Sequence, residues 1–396
     1  MKRLSAVFFL LLFAASAAFS LDFGFLFDQK FEAENELLTY TPSVNPWFSW
    51  NGDNGMSVYL SAIFPLKFSK YSDEFENSNG WKFIPELSRF AFGYQNKQGF
   101  SLEAGRISYY DILGLTASGF FDGFSFKTVT HLGSIVAGAY YTGLLYKETA
   151  KVIMTDDDKE NYQSWDWDND NGYFASRRIL ASLRWDIPMG RASTFSFETL
   201  AQFDLNGRET TLNSQYFAFR FELFPVNMIK ITAGALFESM QYGGGFNAAE
   251  SAAFGALAQV AVNLPTVIND QLNFKFRSAS GLLDDKFTPF APINLNPQGA
   301  VFSGTMAGLT VIGLEYNARI IKPLYAECEF NYFMRTLDNS DGGFLHGGEL
   351  YASFGWQPFE DMRVTLGGGA FFPQMGNIDS AGKTLWKITA GLALSL

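Results

Sequence analysis

The chain has 396 residues, 47% of them apolar and 17% aromatic, with only 17% charged and a single cysteine, Cys328. This much burial potential excludes a disordered chain. A net charge of −11 argues against nucleic acid as a partner, and one cysteine with two histidines, His131 and His346, leaves little for a disulfide framework, a cysteine metal site or imidazole catalysis.

Residues 1–20, MKRLSAVFFLLLFAASAAFS, read as a Sec-type signal peptide. Lys2 and Arg3 form the charged start, Ala6–Ala15 the apolar core and Ala18-Phe19-Ser20 a small-x-small cleavage site. Cleavage is expected after Ser20, with Ala18 as the alternative. Without Lys2 and Arg3 the 29 basic residues become 27 against 40 acidic ones, a net of −13. Beyond residue 20 no run of eighteen apolar residues appears, so no transmembrane helix is expected.

From residue 21 the dominant signal is period two. In Phe217-Ala218-Phe219-Arg220-Phe221-Glu222-Leu223 the large apolar side chains share one face of an extended chain and the charges share the other. Ala181–Ile187, Ile229–Ala233, Asn273–Arg277 and Trp386–Leu396 repeat the pattern. Many such segments run to ten residues or more. That is the length of a membrane-crossing strand, about 9–11 residues, with apolar side chains toward lipid and polar ones inward. Such strands must close into a ring, because lipid offers no partner to a free edge.

In chain order the predicted strands are 21–34, 43–51, 55–69, 81–94, 99–110, 118–128, 133–147, 173–187, 192–205, 213–224, 228–241, 251–264, 269–279, 303–317, 322–336, 347–357, 361–372 and 384–396. Short turns such as Asn51–Gly55, Asn96–Gly99 and Pro225–Asn227 alternate with long connections such as 147–172, 281–300 and 373–382. The fold class expected is all-β: a transmembrane antiparallel up-and-down β-barrel of about 18 strands, with 16 as the runner-up, filling residues 21–396 as one domain. Both chain ends then lie on the periplasmic side.

The whole of 21–396 resembles a diderm outer-membrane β-barrel of the porin type. Ala104-Gly105-Arg106 with Asp111, followed by Phe121-Asp122-Gly123, is similar to a neighbouring-strand pattern of porins. The last strand resembles the signal read by outer-membrane assembly machinery, although it ends on Leu396 where that family prefers Phe. The resemblance implies residence in the cell outer membrane, with lipid, the assembly machinery and small polar solutes as partners. No cofactor, metal or catalytic residue is expected; the oligomeric state is open.

Alternation places on the inward face Arg184, Arg220, Lys230, Lys275, Arg277, Arg335, Arg363 and Lys387, opposed by Asp186, Glu198, Asp204, Glu222, Glu238, Glu327, Glu329 and Glu349. An Arg or Lys facing lipid at mid-membrane costs about 2–4 kcal/mol, which forces these charges inward. Arg106 and Asp122 join them as candidate channel-lining residues through the porin resemblance. Asp156, Asp157, Asp158, Asp166, Asp168 and Asp170 are expected in a solvated extracellular loop. The last three have the spacing of a calcium loop's first ligands, but Gly172 comes one residue late and Arg177 stands where a bidentate Glu is needed. Residues 281–300 carry three prolines amid apolar residues; they could constrict the lumen, cap the barrel or contact a neighbour. The expected function is passive, weakly cation-preferring diffusion of small polar solutes or ions. A structural or adhesive surface protein with a closed lumen is the alternative.

Overall fold

The computed structural model describes residues 21–71, 80–163, 170–206, 211–243, 249–282, 287–336 and 342–396. The signal-peptide segment 1–20, Asp166 and Asp168 lie outside them. One antiparallel sheet accounts for nearly everything else. In order its strands are β1 (Leu21–Glu34), β2 (Leu37–Asn51), β3 (Met56–Tyr71), β4 (Gly80–Phe83), β5 (Glu86–Gln95), β6 (Ser101–Tyr110), β7 (Ser118–Thr130), β8 (Gly133–Tyr141), β9 (Arg178–Pro188) and β10 (Ser193–Asp204). It continues through β11 (Leu212–Val226), β12 (Ile229–Tyr242), β13 (Ala249–Asn263), β14 (Gln271–Ala279), β15 (Leu309–Ile321), β16 (Leu324–Arg335), β17 (Leu345–Phe359), β18 (Met362–Phe372) and β19 (Leu385–Ser395).

Each strand pairs with its sequence neighbours, and β1 pairs with β19 over Leu26–Glu34, so the sheet closes. Strands β4 and β5 both pair with β3 and form one interrupted stave, which makes the barrel eighteen-stranded. The eighteen-strand expectation therefore holds over sixteen. Closure satisfies the backbone that an open edge would leave bare in lipid.

The faces follow the alternation. Phe217, Phe219 and Phe221 are outward and exposed, as are Phe25, Phe27 and Phe31 on β1, whereas Ser196, Glu198, Leu200 and Gln202 on β10 are inward and buried. Cys328 is exposed on the outward face of β16, next to Phe330, between inward Glu327 and Glu329. In the folded protein it should react with apolar thiol reagents and poorly with charged ones. Spin labels at Phe219 and Phe221 should relax with oxygen, and those at Arg220 and Glu222 with aqueous reagents; uniform behaviour at all four would overturn this register.

Both described chain ends and most short turns gather at one rim; the long connections leave the other, where the two-residue Asn35–Glu36 turn also lies. Three expected boundaries move by six residues, and the start of β9 moves by five, from 173 to Arg178. β2 starts at Leu37 rather than 43, because Asn35 adopts a left-handed turn (φ 46°) that lets the chain reverse at once. β8 stops at Tyr141 rather than 147 and β15 starts at Leu309 rather than 303, because the adjoining residues turn into the barrel.

Candidate functional site

Three connections from the long-loop rim fold into the lumen and narrow it. The first is the upper part of the β6–β7 hairpin. Gly105 at its root has φ +120°, and a side chain there would overlap the Phe90 carbonyl, so the bend needs glycine. Beyond the root Ile107, Tyr109 and Phe121 are buried on one face, while Ser108, Tyr110 and Phe120 are exposed on the other. At the tip Asp111 accepts four backbone N–H bonds, from Leu113, Leu115, Thr116 and Ala117 at 2.9–3.2 Å, which fixes the turn without help from the sheet. The tip lies on the opposite wall: Leu113 fills the space where Gly234 of β12 lacks a side chain, and Leu115 rests on Gly255 of β13.

The second connection is 142–177, with a helical turn α1 (Lys147–Ala150), helix α2 (Asp156–Gln163) and a last turn α3 (Asp170–Tyr173). The third, 280–308, buries Phe290, Ile293 and Met306. The three interlock. Ile293 N–H donates to Thr116 O at 2.8 Å and Leu295 N–H to Lys151 O at 2.9 Å. The Asn294 side chain bonds both backbone groups of Ser118 and the Ala150 carbonyl, at 2.8–3.1 Å. The alternatives open for 281–300 are thereby decided: the described part constricts the lumen.

A loop inside a barrel must find acceptors for its own N–H groups, and the wall supplies them. Glu198 accepts from Ile112 N–H at 2.8 Å and Tyr109 OH at 3.0 Å. Glu238 accepts from Ala291 N–H at 3.0 Å, and Glu349 from Ala300, Val301 and Phe302 N–H at 2.6–3.0 Å. These three carboxylates face inward as expected, but each is nearly fully buried and spent on a loop. Arg220 likewise donates to Ile112 O at 2.8 Å while pairing with Glu222 at 3.3 Å.

Toward the short-turn rim the remaining inward charges pair along one strand or across neighbouring strands. Arg184 meets Asp186 at 2.9 Å, Lys230 meets Glu222 at 2.8 Å, and Lys275 bridges Glu315 and Glu329. Arg277 donates to Gln298 Oε1 at 2.8 Å. Glu327 and Arg335 take inward positions on β16, Arg335 above buried Phe333. Arg106 and Asp122 form a bidentate pair at 2.8–2.9 Å at the hairpin root, with Arg106 only 6% exposed.

The acidic segment departs most from its expected character. Asp156 opens α2 and is 92% exposed, with Lys159 its ion-pair partner among the described residues, at 2.6 Å. Asp158 is not solvated: it is 1% exposed and bonded to Arg178 at 2.6 Å, while accepting from Met154 and Thr155 N–H at 2.9 and 3.0 Å. Arg178 also meets Asp204 at 3.2 Å. Burial alone would raise the Asp158 carboxyl, but Arg178, the Ser176 hydroxyl and the Met154 amide outweigh it and hold the group below its ordinary 3.8. Asp157 lines the recess beside it, and Asp170 begins α3.

What stays open lies along β1–β5 and β18–β19. Two cavities of about 400 and 240 Å³ share Asp28 and Lys30 in their walls; Glu32, Arg363 and Thr389 line the first, Lys67, Lys82, Glu86 and Glu148 the second. A recess of about 740 Å³ near the short-turn rim is lined by Ser57, Gln95, Glu103 and Lys127. Of these residues only Arg363 had been singled out. Its guanidinium stacks over Tyr325, 5.3 Å from the ring centre, and bonds its hydroxyl. The alternation Phe23-Gly24-Phe25-Leu26-Phe27-Asp28 with Lys30 and Glu32 beyond was signal enough to place β1's charges inward.

No protein family profile and no curated protein sequence matches this chain. Solved outer-membrane proteins of Pseudomonas aeruginosa do match its structure. OccK5 (OpdH) superposes with a TM-score of 0.64 at 10% identity, covering 95% of this chain and 98% of its own. OpdK gives 0.62 at 10% identity with the same coverages, and OprD 0.58 at 9% identity over 95% of each chain. Closed sheet, lipid-type outer face, inward charges and inward-folded loops together make this chain an eighteen-stranded β-barrel with the fold of outer-membrane porins.

Proposed function

We propose that this barrel is an outer-membrane channel for passive diffusion of small polar solutes and ions, with a weak preference for cations. The observation that carries the reading is water access to inward charges. The Lys30 side chain is 72% exposed, and Lys67 and Glu148 are each 42% exposed although only 3.9 Å apart. In a closed barrel an inward side chain gains that exposure only from a solvated lumen. OpdK, of similar fold, has been solved with vanillate, which supports passage of small organic solutes here. The loops packed inside the lumen favour the alternative, a surface protein with a closed lumen.

Single-channel recording of the refolded protein in a planar bilayer separates the two. Ohmic conductance, with a reversal potential of cation sign in a KCl gradient, is expected. The preference should shrink as salt shortens the screening length from about 8 Å at physiological strength. Neutralising Asp156 should reduce it at low salt with little effect on stability, since exposed charges contribute little to folding; half-buried Asp157 and buried Asp158 must be left intact. Folded protein with neither conductance nor liposome solute uptake would give the alternative the lead.

The long-loop rim is the extracellular one in this reading. Asp156→Cys, in a Cys328→Ser background, should therefore label with a membrane-impermeant maleimide on intact cells. Labelling only after the outer membrane is broken would invert the orientation.

A further inference from the structure

Where the β6–β7 hairpin bends inward it takes two strands out of the barrel wall. At the level of Arg106 the wall is still continuous, with Phe90 of β5 paired to Arg106, Arg106 to Asp122, and Asp122 to Tyr141 of β8. Above that level β5 has no strand partner on this side among the described residues, because its pairing with β6 covers only Phe90–Gln95. The far side of the gap is a ribbon that continues β8 and β9. Thr142 N–H donates to Arg178 O at 3.1 Å, Ala175 N–H to Leu145 O at 2.9 Å, and Tyr146 bridges to Phe174. A seam thus opens between two backbone edges, and its outer side is apolar: Leu87 is 41% and Leu144 54% exposed. Edge carbonyls at such a place are costly unless something donates to them.

We infer that Arg106 is the staple of this seam and, through it, a positioning residue for the constriction. Its Nη1 donates to Leu87 O on one edge and its Nη2 to Leu144 O on the other, at 2.9 Å for the latter. The charge is matched by Asp122 through Nε and Nη2. One guanidinium therefore joins both edges and the hairpin root. Only a planar group with several donors does this; a lysine offers a single nitrogen and cannot span the two carbonyls and the carboxylate with the same fork. Further up, Tyr173 OH donates to Pro85 O at 2.8 Å and Thr149 to Glu86 at 2.8 Å, so the seam is laced by the 142–177 connection with Arg106 at its apex. Arg106 acts here as a clamp on the narrowing element, in contrast to a charge that solutes meet.

The test uses Arg106→Gln and Arg106→Lys in the full chain with Cys328→Ser. Hydrogen exchange of segments 87–90 and 144–146 should accelerate at least tenfold in both variants, with β11 and β12 unchanged, and channel current should become noisier. Rescue by lysine would mean that charge alone is what matters and would overturn the staple; so would exchange at the parental rate in both. Should neither variant fold, Leu87→Cys with Leu144→Cys in the protein that keeps Arg106 decides. A short bifunctional thiol reagent should join them and quieten the current without changing its mean, and failure to join them would sink the inference. Exchange and cross-linking read no current, so a non-conducting protein would count against the channel reading and leave the seam to be judged separately.

Discussion

Replacing residues 111–117 by Asn-Gly should raise single-channel conductance several-fold. Tyr110 and Ser118 are already cross-strand partners, so a two-residue turn can join them directly. The replacement removes the tip that carries Leu113 and Leu115 onto β12 and β13 but leaves the β6–β7 pairs from Ser101 to Tyr110 intact. The resistance of a path in series is set by its narrowest part, which is why deleting a few residues there outweighs any single change in a wall charge. Glu198 loses the Ile112 amide and would be hydrated in the wider lumen. Unchanged conductance in a folded variant would show that the limiting section is elsewhere, along Lys30, Lys67 and Glu148.

Arg178→Met should destabilise the folded barrel by about 3–5 kcal/mol, read from urea unfolding and from faster proteolysis of the 142–177 connection. Arg178 is fully buried between Asp158 and Asp204, and its removal strands two carboxylates that water cannot reach. Replacing the two acids by leucine in the same variant should recover much of the loss, because the penalty lies in the unpaired charges. The pH dependence has a definite sign. Asp158 titrates below its unfolded value of 3.8, so its contribution is complete above that value and fades as pH falls through the lower folded one. Parental stability in Arg178→Met would show that the cluster holds nothing in place.

The recurrence of Phe and Leu at every second position was enough by itself to identify strands, their faces, the closed ring and the sorting of turns from loops. The bilayer makes these local matters: each strand must cross alone, with one face for lipid and one for water, so segments such as Phe217–Leu223 carry their own assignment. The inward direction of Glu198, Glu238 and Glu349 was legible for the same reason. Their task was not. Glu198 meets Ile112 across 86 residues, and Glu349 meets Ala300 across 49; no local spacing records such a meeting. Asp158 sits in an acidic run that reads as solvated, and only the approach of Arg178 from the next strand buries and pairs it. Arg106 illustrates both halves. Its place in the Ala-Gly-Arg pattern marked it in the sequence, but tertiary structure made it a seam clamp, because the bend at Gly105 brings two separate backbone edges to one guanidinium.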